Sequence, residues 1–231
     1  MALKNKVILI TGAAKRLGRE IALSLAHEGA TLALHYHTSE KEIHSLLKEL
    51  RDKKITVEIF KADMAKVLDI TTMVRDVVKK MGHIDILINN AAQFYPTPFG
   101  KISEKDWDNF LDANLKGPFF LIQEATHHKI QKIINIADSS GPKTRGNYIP
   151  YWLSKTGLIS MTEILAKVLG DSAQINTICP GPIDFPEDRE RLKNDITIDP
   201  QEISKTILYL LKEMTGITGN TLFIDRGRRY R

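Results

Sequence analysis

Three residues of this chain have the types and spacing to move a proton: Asp138, Tyr151 and Lys155. Tyr151 and Lys155 are four apart, so on a helix beginning near Tyr148 or Ile149 they share one face. A cation beside a phenol favours phenolate, so Lys155 is expected to lower the Tyr151 pKa from its usual value of about 10 and suit it to acid catalysis near neutral pH. The apolar run from Lys132 to Ala137 reads as a strand, which sets Asp138 at its carboxyl end. A tyrosine and a lysine at this spacing arise easily by chance, so the elements around them must supply the context.

Those elements alternate. Residues 6 to 10 form an apolar, β-branched run ending at Thr11-Gly12, and Arg19 to Ala26 has helical periodicity closed by Gly29. Strand, glycine turn and helix make a dinucleotide-binding start: Gly12 permits the turn, Leu17 and Gly18 open the helix, and its N-terminus offers N–H groups to a pyrophosphate. Arg16 stands at the middle glycine position, and Lys15 and Arg16 are solvated charges if the turn is an ordinary one. The second strand, Ala30 to His35, runs into Tyr36, His37, Thr38 and Ser39, with no acid to bind a ribose 2′-hydroxyl. That favours NADP, with His37, Thr38 and Ser39 donating to its 2′-phosphate and Arg16 as the nearby cation. Ser39 with Glu42 also reads as a capping box for a helix over Glu40 to Arg51.

The third strand, Ile55 to Lys61, leads to Asp63 and Met64, where the acid either meets an adenine amino group or caps the helix Val67 to Met81. A fourth strand, Ile84 to Asn89, ends in Asn90-Ala91-Ala92, small residues that let backbone approach a cofactor while the asparagines tie strand ends together. The loop Gln93 to Pro98 then carries Phe94, which either packs or stacks on a flat ring. From Ser103 to His128 the helical pattern breaks at Asn114 to Pro118, and a distortion there would let Asn114 hold a water linked to Lys155. After a helix to Leu169, a strand over Gln174 to Ile178 ends in Cys179-Pro180-Gly181, and the charged segment Asp184 to Pro200 covers the site. A helix over Gln201 to Lys212 and a strand over Asn220 to Ile224 complete seven strands. The expected fold is α/β, a Rossmann-type doubly wound sheet of seven parallel strands with helices on both faces, in one domain over residues 1–231.

Composition agrees. No apolar run reaches the length of a membrane span, and the start, Val7 to Ile10, is too short for a signal segment, so a cytoplasmic protein is expected. The net charge of +5 suits an anionic small ligand and does not call for nucleic acid. The single cysteine, Cys179, excludes an internal disulfide and reads as a buried thiol, and the seven histidines show no metal-ligand spacing.

With these residues in hand the chain resembles the short-chain dehydrogenase/reductases over almost its whole length, through Thr11-Gly12 to Gly18, Asp63, Asn89-Asn90-Ala91, Asn114, Tyr151 with Lys155, Pro180-Gly181 and Thr218-Gly219. Within them it is similar to pteridine reductases in TGAAKRLG at 11–18, LHYHTS at 34–39, NNAAQFYPTP at 89–98 and an aspartate thirteen residues before the tyrosine. The resemblance implies an NADPH cofactor, a pterin or folate substrate and a homotetramer assembled through helices near 110–128 and 150–169. It assigns Asp138, Tyr151, Lys155 and Asn114 to catalysis. Gly12, Arg16, Leu17, Gly18, residues 35–39, Asp63, Met64, Asn90, Ala91, Ala92, Lys155, Pro180 and Gly181 would hold the cofactor. Arg16, Phe94, Asp138 and Tyr151 would hold the substrate.

Carbonyl reductases of the family carry serine where Asp138 stands, because a neutral hydroxyl polarises a ketone and an ionised carboxylate opposes an alkoxide. Reducing a pterin C=N bond instead requires a proton on nitrogen. The alternatives are a 3-oxoacyl-type carbonyl reductase, with Ser139 or Ser140 replacing that serine, and a non-catalytic NADP-binding scaffold. The chain departs from its pattern at Thr38, where relatives have arginine, at Ala92 in place of serine, and in a shorter loop after Pro180. It also departs at Asp225-Arg226-Gly227 in place of a double glycine, followed by a basic tail to Arg231. The tail reads as solvated, or as reaching a neighbour's site to meet the glutamate of a folate.

Overall fold

The computed structural model of the protein describes residues 3–139 and 146–230. Seven strands form one parallel sheet: β1 (Val7–Ile10), β2 (Thr31–Tyr36), β3 (Val57–Lys61), β4 (Ile86–Asn89), β5 (Lys132–Ile136), β6 (Gln174–Pro180) and β7 (Thr221–Ile224), in the order β3-β2-β1-β4-β5-β6-β7. Alternation along each strand feeds two cores. Ile8, Ile10, Leu32 and Leu34 pack on one face against α1 (Arg16–His27), α2 (Glu40–Asp52) and a later helix over Pro200–Lys212. Leu9, Ala33 and Ile133 face the other side, against α3 (Val67–Met81) and the helices Gly117–Thr126 and Ile149–Leu169. The expected doubly wound fold is present, with helices on both faces.

The order reverses between β1 and β4, and open α/β sheets form their crevice at such a switch point. Here the crevice is stitched shut at its base. Asn90 Nδ2 donates to the carbonyls of Thr11 and Gly12, and Thr11 Oγ1 accepts from the N–H groups of Asn90 and Ala91. Gly12 has φ +63, and a Cβ on it would lie 2.9 Å from the Ala91 Cα; a Cβ on Gly18 would meet the Gly12 carbonyl at 2.1 Å. Both glycines are steric requirements of the turn.

Most boundaries fall within two residues of the sequence expectation. The helix read from Arg19 begins at Arg16, because Arg16 itself turns the chain with φ +53, a left-handed conformation costing about 1 kcal/mol or more without glycine. β6 runs on to Pro180 because Pro180 pairs with Ile224 of β7. Ser39 occupies the N-cap position of α2 without a side-chain capping bond, so the expected capping box is not made. A capping box does form at Ser103 and Asp106, starting α4 (Glu104–Leu111). The break at Asn114 is a π-helical turn over Asp112–Lys116, leading into α5 (Gly117–Thr126). The helix carrying Tyr151 and Lys155 is α6 (Ile149–Leu169), and the segment before α8 (Pro200–Lys212) holds a 3₁₀ turn, Pro186–Asp188, and the short α7 (Arg189–Leu192). Among the described residues, no helix is long and apolar enough to cross a membrane.

Candidate active site

The carboxyl ends of the strands open into one cleft of about 1370 Å³. A single small-molecule site takes about 300–1000 Å³, so this one has room for a dinucleotide and a second ring. Gly12, Arg16, Leu17, Gly18, His35 to Ser39, Asp63, Met64, Asn90 to Ala92, Phe94, Asp138, Tyr151, Lys155, Pro180 and Gly181 all line it.

Asp138 follows β5, and α6 lays Tyr151 and Lys155 over that strand end. Tyr151 Oη donates to Asp138 Oδ2 at 2.9 Å, and Lys155 Nζ donates to the Ile136 carbonyl at 2.7 Å. The ammonium lies 5.9 Å from the Tyr151 ring centroid. Burial first, then the charge of Asp138 and its hydrogen bond, push Tyr151 well above its usual value. The expectation that Lys155 would favour phenolate is therefore overturned: the carboxylate touches the phenol, while the ammonium is tied to the strand. Burial lowers Lys155 itself to about 8, against the pull of Asp138. Cys179 is buried and its thiol pushed up to about 12, an unreactive group as expected.

Aromatic rings fix the phenol. Phe94 meets Tyr151 edge-on at 4.8 Å and Trp152 does so at 5.1 Å, while Phe94 lies parallel to Tyr148 at 5.0 Å and 5°. Phe94 is nevertheless 51% exposed, so it retains open surface for a ligand. Asn114 sets the loop that bears it: Oδ1 accepts from Gln93 N–H at 2.7 Å, and Nδ2 donates to the Gln93 carbonyl and to Ser154 Oγ. The Asn114 side chain is thus committed to protein partners.

At the other end of the cleft, the first turn of α1 carries no side-chain cap at Lys15, leaving its N–H groups for an anion. His35 is buried; Nδ1 accepts from Gly12 N–H at 3.1 Å, and Nε2 therefore donates to the Ala62 carbonyl. Burial lowers it to about 4, so it braces the glycine turn as a neutral ring. His37 and Thr38 are exposed. Asp63 accepts from Ala65 N–H and lies 3.6 Å from Lys66 Nζ, bracing the start of the next loop without capping α3 at its N-cap.

Arg16 departs from expectation. Its guanidinium pairs with Glu187 at 2.7 Å and with Asp188, and stacks 4.5 Å over Phe185, so it is engaged by the segment before α7 rather than left for a ribose phosphate. Lys15, read from sequence only as a solvated charge, is exposed and lines the same cleft as residues 35–39. Arg191, Asp195 and Arg229 also line the cleft and carried no usable signal in the sequence beyond charge. The basic tail folds back on its own chain, with Arg226 on Glu202 and Arg228 on Asp195. Ser139 is buried and donates its N–H to the Pro180 carbonyl, with no partner for its hydroxyl among the described residues. Ser140 and Arg231 lie outside those residues.

A family model described as short chain dehydrogenase matches residues 6–196. The 3-oxoacyl-[acyl-carrier-protein] reductase FabG of Thermotoga maritima is 32% identical over 244 residues, covering 98% of this chain and 99% of that protein. Among solved structures, FolM alternative dihydrofolate reductase 1 from Brucella canis, complexed with NADP, superposes with a TM-score of 0.90 at 27% identity, over 100% of this chain and 97% of that one. A blue fluorescent protein from a metagenomic library, in complex with NADPH, gives 0.89 at 27% identity, over 97% and 98%.

Proposed function

The chain belongs to the short-chain dehydrogenase family, and on that premise we propose that it is an NADPH-dependent reductase of pterins or dihydrofolate. The observation that carries this reading is the hydrogen bond from Tyr151 Oη to Asp138 Oδ2. A carboxylate against the phenol opposes the negative charge of a forming alkoxide, whereas a ring nitrogen that must gain a proton is served by an acidic pair.

The cleft fits the cofactor. The uncapped N-terminus of α1 suits a pyrophosphate, Gly12 and Gly18 keep the turn free of side chains, and Lys15, His37, Thr38 and Ser39 offer donors with no carboxylate among residues 35–39. Solved relatives bound to NADP and NADPH support the same choice. When bound, the nicotinamide supplies a hydride to the ring carbon.

The chain's own residues handle the proton and the geometry. Because Tyr151 is pushed up, it holds its proton in the resting cleft and is the group that passes one to the ring nitrogen, while Asp138, accepting from the phenol, orients it. Lys155, held by the Ile136 carbonyl, is positioned to bind the nicotinamide ribose, and Phe94 gives the flat substrate a stacking surface. Asn114 orients the Phe94 loop.

The test is NADPH oxidation by purified protein with dihydrobiopterin or dihydrofolate, followed by absorbance. Turnover with either supports the assignment; turnover of a 3-oxoacyl thioester alone transfers it to a carbonyl reductase. That second reading is favoured by the FabG relative, although the described serine, Ser139, does not bond the phenol. Self-association belongs to the same proposal: Phe119 on α5 with Ile164 and Val168 on α6 form an exposed apolar face, which sedimentation of the purified protein would find covered in a tetramer.

A further inference from the structure

We propose that Arg229 is the receptor for a carboxylate borne by the substrate away from its reacting ring, so that the cleft favours a substrate with an anionic tail, as in dihydrofolate, over an uncharged pterin. The identity of the ring rests on the function proposed above; the anion site rests on the chain's last turn.

That turn is built by Asp225, the residue standing where the family pattern has glycine. Asp225 is buried, and its carboxylate accepts from the N–H groups of Gly227 at 2.9 Å and Arg229 at 3.2 Å. With Arg226 at φ +49 and Gly227 at φ +73, the chain reverses after β7 into a 3₁₀ turn over Arg228–Tyr230. Arg229 is thereby brought back to the rim of the cleft lined by Phe94, Asp138 and Tyr151.

The guanidinium is held by its faces. It lies 3.6 Å from the Phe223 ring centroid and 4.7 Å from that of Tyr230. Stacking of this kind leaves the in-plane N–H groups for an acceptor, and a carboxylate matches their fork. Arg226 and Arg228 are each paired with an acid, but among the described residues no carboxylate pairs with Arg229, and its buried Nε has no acceptor. The positive charge is also felt at Cys179, near the end of β6.

Location separates this cation from the cofactor phosphates. The phosphate-binding turn follows β1, whereas Arg229 follows β7, four strands away in the sheet order, or about 19 Å at the usual strand spacing. From the end of β5, which carries Asp138, the offset is two strands, about 10 Å. That is the reach of an aminobenzoyl group ending in an amino-acid carboxylate.

The experiment compares kcat/KM for dihydrofolate and dihydrobiopterin in full-length wild type, Arg229→Gln and Arg229→Lys. In Arg229→Gln the dihydrofolate-to-dihydrobiopterin ratio is expected to fall about tenfold or more, mainly through the KM for dihydrofolate, with part of it restored in Arg229→Lys. Because the ratio is read within one preparation, a purely structural role for Arg229 would lower both substrates together and leave it unchanged, which would overturn the proposal. If wild type turns over neither substrate, the pterin reading falls on its own. Arg229 is then judged by calorimetry of p-aminobenzoylglutamate on NADP-loaded protein. Binding that is lost in Arg229→Gln upholds the anion site; equal binding, or none to wild type, overturns it.

Discussion

Tyr151 Oη and Asp138 Oδ2, 2.9 Å apart, join the first turn of α6 to the end of β5, and on the proposed function the proton between them is what favours a C=N bond over a ketone. Asp138→Ser is expected to lower kcat for pterin or dihydrofolate reduction by about 100-fold, the usual scale of a lost acid–base partner. Reduction of a ketone should be retained or improved, because the opposing charge is gone. Steady-state kinetics on both substrates check this, and an equal loss on both would reduce Asp138 to a supporting role.

Lys155 is expected to set an alkaline limit on cofactor binding. Its pKa is lowered to about 8 by burial, so the ammonium is present at neutral pH and is lost as pH rises through that value. The KM for NADPH is expected to climb about tenfold over the two pH units above the transition, with little change below it. The linkage to stability has the opposite sense: the unfolded lysine binds its proton more tightly, so this residue makes folding more favourable as pH rises from about 8 towards its ordinary value of 10.5. A cofactor KM that stays flat across the alkaline range would remove Lys155 from ribose binding.

The two cations of the glycine turn are expected to separate in kinetics. Lys15→Gln should raise the KM for NADPH about tenfold while leaving that for NADH nearly unchanged, since only the former carries the extra phosphate. Arg16→Gly loses ion pairs to Glu187 and Asp188, but relieves a left-handed backbone. These effects are each about 1 kcal/mol, so thermal stability should barely move. Measured melting temperatures and the two cofactor KM values decide both points.

Acid should weaken the protein through His35. Its folded pKa of about 4 lies below the ordinary 6.5, so the unfolded chain takes up the proton first as pH falls. Stability from this residue is complete above pH 6.5 and is lost between 6.5 and 4, by roughly 3 kcal/mol at most. Denaturant titrations at intervals across that window should show the slope in wild type and a shallower one in His35→Gln.

What could be read without coordinates was local. The four-residue spacing of Tyr151 and Lys155, the strand preceding Asp138 and the glycines at 12 and 18 follow rules that act within a turn or a strand. The fate of Arg16 depends on Glu187 and Asp188, some 170 positions later, and no periodicity announces such a pairing. The direction of the Tyr151 shift cannot follow from spacing, which gives proximity but not burial; desolvation and the Asp138 contact outweigh a lysine tethered to a main-chain carbonyl. Ser39 stands at the N-cap position of α2, yet its backbone at ψ 60 makes no capping bond. The basic tail was visible as charge alone; the turn that directs it comes from two N–H groups bonded to one buried carboxylate.

Asn114 imitates a strand neighbour, giving and receiving one bond each with the backbone of Gln93 while a third bond reaches Ser154 on α6. The ring of Phe94 and the phenol of Tyr151 are therefore triangulated from a single amide. If the proposed function holds, the entropy of aligning a stacking platform with a proton source is spent while the chain folds, so a flat ligand that arrives has mostly its own freedom left to surrender.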